Sequence, residues 1–98
     1  MNNKWYTILA DDITFMISYD TLKKFPNSIL FEVITTTNTH EKIKKIVDGN
    51  NISVILDMDS DSVKYIISYM RGYSISIDKH VMSKAIMDMK YLNIFLPT

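Results

Sequence analysis

The sequence predicts an α/β (α+β) domain: a small three-stranded sheet that begins with an N-terminal hairpin and packs against five to six short helices. Three observations predict it. Apolar residues alternate at period two from Trp5 to Ala10 and again from Ile13 to Ser18. They recur at helical spacing in Val63, Ile66, Ile67 and Met70, and in Val81, Met82, Ala85, Ile86 and Met89. Between these regions Ile52, Val54 and Leu56 alternate with Ser53, Ile55 and Asp57. A chain of 98 residues suffices for one core and is too short for two, so residues 1–98 read as one domain.

The first two strands carry Tyr6, Ile8 and Ala10, then Ile13, Phe15 and Ile17, on one face, and Asp11-Asp12 supplies the turn between them. Ser18 or Asp20 then caps a short helix through Thr21-Leu22-Lys23-Lys24, which Pro26 ends by forcing its predecessor out of the α region. Ser28 caps the next helix, whose Ile29, Leu30, Val33 and Ile34 face inward. Thr35 to Thr39 breaks that helix, because its side chains compete for backbone hydrogen bonds. From His40 to Val47, Ile43, Ile46 and Val47 fit one or two further helical turns with Lys42, Lys44 and Lys45 outward, before a turn at Asp48-Gly49-Asn50. The strand at Ile52–Leu56 leads to a helix capped by Asp59 or Ser60, with Asp61 in its first turn and Gly72 closing it. Tyr73 to Ile77 is a short extended piece. A helix through Met89 follows, and Tyr91 to Leu96 adds a last turn or two before Pro97.

Composition narrows the function classes. Eleven basic and eleven acidic side chains cancel, leaving no field to draw the chain to nucleic acid or to an anionic membrane. With no cysteine, disulfides, thiolate zinc sites and thiol nucleophiles are excluded. Neither a signal-like apolar run nor a run of eighteen apolar residues occurs, so a cytoplasmic protein is expected, in the cytosol or the nucleus of a host cell.

Several motifs approach chemistry and stop short of it. Asp57-Met58-Asp59-Ser60-Asp61 opens like a calcium loop, but Ser62 stands where glycine is needed and Ser68 where a bidentate glutamate is needed. Capping of a helix accounts for the same carboxylates. His40 and His80 have no partners at ligand spacing, and two glycines cannot build a phosphate-cradling loop. Neither a catalytic residue, a metal site nor a cofactor is expected, and a small unrelated enzyme is the reading of another class. Lys42-Ile43-Lys44-Lys45 reads as a solvated helix face, flanked by Glu41 and Asp48. Of the seven methionines, Met70, Met82 and Met89 fall on core stripes, whereas Met16, Met58 and Met87 fall off them and are open to a binding role.

Three blocks, taken in order, resemble one family. In Trp5–Leu30, Phe15, Thr21-Leu22, Pro26, Ser28 and Leu30 stand where the potassium-channel-tetramerisation branch of the BTB/POZ fold, as in the KCTD adaptors, has its pattern. Leu56-Asp57-Met58-Asp59 is similar to that family's I-D-R-D, and Ile66 to Arg71 to its V-L-x-Y-L-R. Asp88 to Ile94 is similar to E-A-x-F-Y-x-I. The chain departs from the family at Asp11-Asp12, where paired glycines are usual, at Met58 in place of arginine, and at Asp88-Met89 in place of Glu-Ala.

The resemblance implies the BTB/POZ fold and a protein-binding module that self-associates and docks cullin-3 as a ubiquitin-ligase adaptor or adaptor mimic. It implies cullin-3 contacts at Tyr91, Lys90, Asn93, Phe31, Thr37 and Asn38, and subunit contacts at Asp11, Asp12, Asp57, Asp59 and Arg71. An oligomerisation domain without cullin affinity is the alternative. Aspartates in the first turn resist the close backbone approach that glycines admit, so the family's side-by-side contact is expected to differ here.

Overall fold

In the computed structural model, which describes residues 4–95, β1 (Trp5–Ala10) and β2 (Ile13–Ser18) form the expected hairpin with Ala10 paired to Ile13. Asp11 makes the turn at φ 53°, a left-handed conformation that aspartate tolerates better than most residues with a Cβ. Helices α1 (Tyr19–Leu22) and α2 (Ile29–Thr35) follow, then β3 (Ile43–Asp48), β4 (Asn51–Leu56), α3 (Ser60–Met70) and α4 (Lys79–Tyr91). The strands form one mixed sheet in the order β2-β1-β4-β3. Its central pair, β1 with β4, is parallel, and both outer pairs are antiparallel hairpins.

Each helix starts on a short polar side chain. Ser18, Ser28, Asp59 and Asp78 accept hydrogen bonds from the backbone N–H of Thr21, Phe31, Asp61 and Val81. The two long helices end alike. Gly72 at φ 86° and Asn93 at φ 59° turn the chain so that Tyr73 N–H reaches Ser68 C=O at 2.8 Å and Ile94 N–H reaches Met89 C=O at 2.9 Å.

The helices cover one face of the sheet. Ile8, Ile17 and Val54 from the strands meet Leu22, Leu30, Val63, Ile66, Leu92 and Ile94, all essentially removed from water. Each such side chain contributes roughly 1.5–3 kcal/mol by leaving water. Among the described residues no buried side-chain nitrogen or oxygen lacks a partner, and no helix is long and apolar enough to cross a membrane.

Several expectations are corrected. The sheet has four strands rather than three, because His40–Val47 is not helical: Ile43–Asp48 is a strand paired with β4 through a turn at Gly49-Asn50, Gly49 having φ 61°. Its β-branched residues suit a pleated strand, and the helical spacing of Ile43, Ile46 and Val47 was coincidental, since Ile46 and Val47 stay exposed. Among the described residues there are four helices, not five or six. The short helix starts two residues earlier than expected, at Tyr19, on the Ser18 cap. Tyr73 to Ile77 pairs with no strand. Helix α4 stops at Tyr91, Leu92-Asn93 being a turn, and Leu96 lies outside the described residues. Ile86, expected inside, is exposed, and Met58, expected outside, is buried.

Candidate protein-binding site

The residues assigned to a partner come from three separate stretches of sequence, and the fold sets most of them around the C-terminal ends of α2 and α4. Ile29 N–H donates to Leu92 C=O at 2.8 Å, and Asn93 Nδ2 donates to Asn27 C=O at 2.8 Å. These two bonds fix the end of α4 against the start of α2. An open groove of about 470 Å³ lies beside them, lined by Pro26, Phe31, Glu32, Thr35, Thr36 and Asn93 among others. Phe31 and Asn93 are therefore brought together. Phe31 is half-buried, with its ring centroid 6.4 Å from that of Tyr19.

Tyr91 sits two positions before Asn93, on the last residue of α4. Its ring packs on the edge of the core, and its hydroxyl accepts the backbone N–H of Lys42 at 3.1 Å. The Lys42 ammonium stands 5.6 Å from the ring centroid. The tip of Tyr91 is thus engaged within the chain, and its side chain is half-buried. Lys90 is exposed beside it.

Thr37 and Asn38 are exposed in the loop after α2. Asn38 Nδ2 donates to Glu32 Oε2 at 2.9 Å, and His40 Nε2 lies 3.2 Å from the same oxygen. The Asn38 hydrogen bond, with the His40 contact second, holds the Glu32 carboxyl below its ordinary pKa. Lys45, reaching from β3, donates to Ile34 C=O at 3.1 Å and Thr36 C=O at 3.0 Å, which satisfies carbonyls at the end of α2. The loop is therefore tied at both ends.

A second groove, of about 260 Å³, runs along the same helix on the other side of Tyr91. Asp57, Met58, Asp59, Lys42, Lys84 and Met87 line it with Asp88. Met87 precedes Tyr91 by one helical turn and is 71% exposed, so the apolar edge of α4 continues from the groove to the tyrosine. Met87 was legible as a methionine off the core stripe. Lys42, Glu32 and His40 were not read as part of a site, since the lysine run looked like a helix face.

The subunit-contact candidates divide. Asp11 Oδ2 accepts the backbone N–H of Ser60 at 2.9 Å, and Asp59 Oδ1 accepts that of Asp61 at 2.9 Å, so both carboxylates cap α3. The Asp61 N–H and then the Lys84 ammonium, 3.1 Å from Asp59 Oδ2, hold the Asp59 carboxyl below its ordinary pKa. Asp12 and Asp57 are exposed at the same end. Arg71 is exposed at the far end of α3, about 16 Å away along the helix, with its guanidinium 5.3 Å from the Tyr73 ring centroid. Among the described residues no cluster of three or more histidine or carboxylate side chains gathers at metal-ligand spacing. No protein-family model matches the chain, and a search of curated proteins returns no match.

Proposed function

We propose that this chain is a protein-interaction module of BTB/POZ type, of the potassium-channel-tetramerisation branch, that docks cullin-3 and self-associates. The observation that carries the reading is the convergence of Phe31, Tyr91 and Asn93. Phe31 directly follows the first block of the family-like pattern, and Tyr91 and Asn93 belong to its last; Phe31 and Asn93 line one groove, and Tyr91 precedes Asn93 by two residues at the end of α4. The mixed four-stranded sheet β2-β1-β4-β3 with four helices agrees with the α/β (α+β) class that this reading requires.

In this reading the partner is a helix, laid along α4 between the Phe31 groove and Met87, with the Tyr91 ring beneath it. In helix-in-groove recognition the incoming helix lays its apolar anchors on an apolar strip, and Met87 and Tyr91, one turn apart on α4, supply such a strip. Aromatic anchors of this kind cost about 2 kcal/mol or more when truncated. Titration calorimetry with a cullin-3 N-terminal fragment tests the reading. Heat of binding in the micromolar range, weakened by Tyr91→Ala and by Phe31→Ala, supports it, and silence at tens of micromolar (about −6 kcal/mol) sinks it. An uncovered apolar sheet face favours a second reading, an oligomerisation domain that leaves cullin-3 alone.

A further inference from the structure

The face of the sheet turned away from the helices carries five large apolar side chains among its twelve outward positions, where a solvated face ordinarily alternates to polar residues. Strand alternation directs Trp5 and Leu9 of β1, Met16 of β2, Ile55 of β4 and Ile46 of β3 to this side. Trp5, Met16, Ile46 and Ile55 are 49, 44, 43 and 37% exposed. The Thr7 hydroxyl lies 3.6 Å from the Met16 sulfur, which shows both side chains on the open side. Among the described residues nothing covers them.

The strand registers arrange this face in three rows. Met16, Thr7, Ser53 and Ile46 form the middle one. Thr14, Leu9, Ile55 and Lys44 form the row at one end, and Ser18, Trp5, Asn51 and Asp48 the row at the other. Of all the outward strand positions only Lys44 and Asp48 are charged, with opposite sign, and they flank Ile46 on the same strand.

That arrangement is self-complementary. Let a two-fold axis run parallel to the sheet, about 5 Å above this face, over the middle row and across the strands. A second copy then faces the first with its end rows exchanged. Lys44 of each copy meets Asp48 of the other, Leu9 meets Trp5, Ile55 meets Asn51, Thr14 meets Ser18, and Ile46 and Met16 meet themselves. Sheets stacked this way sit about 10 Å apart with interdigitated side chains.

We propose that this open face is where the chain self-associates, its occupant a second copy related by that two-fold. The proposal deepens the reading of the chain as a self-associating module and moves the contact away from the aspartates of the first turn. Four strands of six residues project roughly 400 Å² on each side, about 800 Å² in all, which lies below the range of stable specific interfaces and in that of weak encounters. The dimer is therefore weak and depends on concentration.

Sedimentation velocity on the whole chain, from about 5 to 500 µM, tests this. The wild type is expected to pass from monomer to dimer across that range. Ile46→Glu and Met16→Glu each set a carboxylate against its own copy and abolish the dimer, while circular dichroism and the thermal transition show each variant folded. Lys44→Asp weakens the dimer at least about tenfold, and adding Asp48→Lys restores it. Rescue by the exchanged pair is an outcome that a general loss of stability does not give. A dimer that survives Ile46→Glu, or no rescue by the pair, overturns the proposal and leaves self-association to another surface. A wild-type chain monomeric throughout overturns self-association altogether and leaves the face to a different protein, with the cullin-3 titration unaffected.

Discussion

The phenol of Tyr91 accepts the backbone N–H of Lys42 across 49 positions of sequence, at 3.1 Å, and so fastens the start of β3 to the end of α4. The same side chain carries the proposed contact with cullin-3, and its two parts separate by mutation. Tyr91→Phe keeps the ring and removes the acceptor, so a stability loss of about 1 kcal/mol is expected with little change in affinity. Tyr91→Ala loses both. Urea unfolding read beside calorimetry distinguishes them, and equal loss of affinity in both variants contradicts the assignment of binding to the ring.

Lys45 is a lysine with a structural task. Its ammonium bridges the carbonyls of Ile34 and Thr36, so Lys45→Met is expected to destabilise by about 1 kcal/mol. Lys64, exposed on α3 with no such bonds, serves as the comparison, and Lys64→Met should stay within about 0.5 kcal/mol. Chemical denaturation of both proteins checks the difference.

Asp11 combines a left-handed backbone with a cap on α3. Asp11→Gly relieves the backbone and forfeits the cap, which leaves a net change of a few tenths of a kcal/mol. Asp11→Ala forfeits the cap and strains the turn, for a loss of about 1–2 kcal/mol. The expected order of melting temperatures is wild type, Gly, then Ala. Alanine melting no lower than glycine refutes the dual role.

Acid should loosen the loop after α2. The folded Glu32 carboxyl is held below its ordinary value of 4.5, first by Asn38 and then by His40. A depressed folded value means that the unfolded chain takes up the proton more readily as pH falls. The stabilising contribution is therefore complete above the ordinary value and is lost as pH falls through the folded one. Urea midpoints of wild type and Glu32→Gln between about pH 3 and pH 7 check this: the wild type should show the steeper loss in acid. Parallel curves would show that Glu32 contributes nothing there.

Local signals were legible in the sequence and long-range ones were not. The first hairpin showed in the alternation of Tyr6, Ile8 and Ala10, and the helix starts in Ser28 and Asp59, because strand period and capping act within a few residues. Strand β3 was hidden, since Ile43, Ile46 and Val47 satisfy helical spacing and only pairing with β4 decides between the two periods. The tie between Lys42 and Tyr91 had no local trace, and Asp11 gave no sign that its carboxylate reaches Ser60. The apolar outer face was hidden for the same reason, because Trp5, Met16, Ile46 and Ile55 become neighbours only when four strands are in register.

The parallel pairing of β1 with β4 has a consequence for how quickly the chain folds. Each hairpin closes over a two-residue turn and needs no help from distant sequence. Thr7 meets Ser53, and Ile8 meets Val54, only after the whole span of α1, α2 and β3 has been gathered in, so this join carries most of the loop-closure entropy. Refolding should then be governed by the seam between the hairpins. Val54→Ala, buried at that seam, is expected to slow refolding, and a change at the Gly49 turn, which closes before the seam forms, should also act on the rate of folding with little effect on the rate of unfolding.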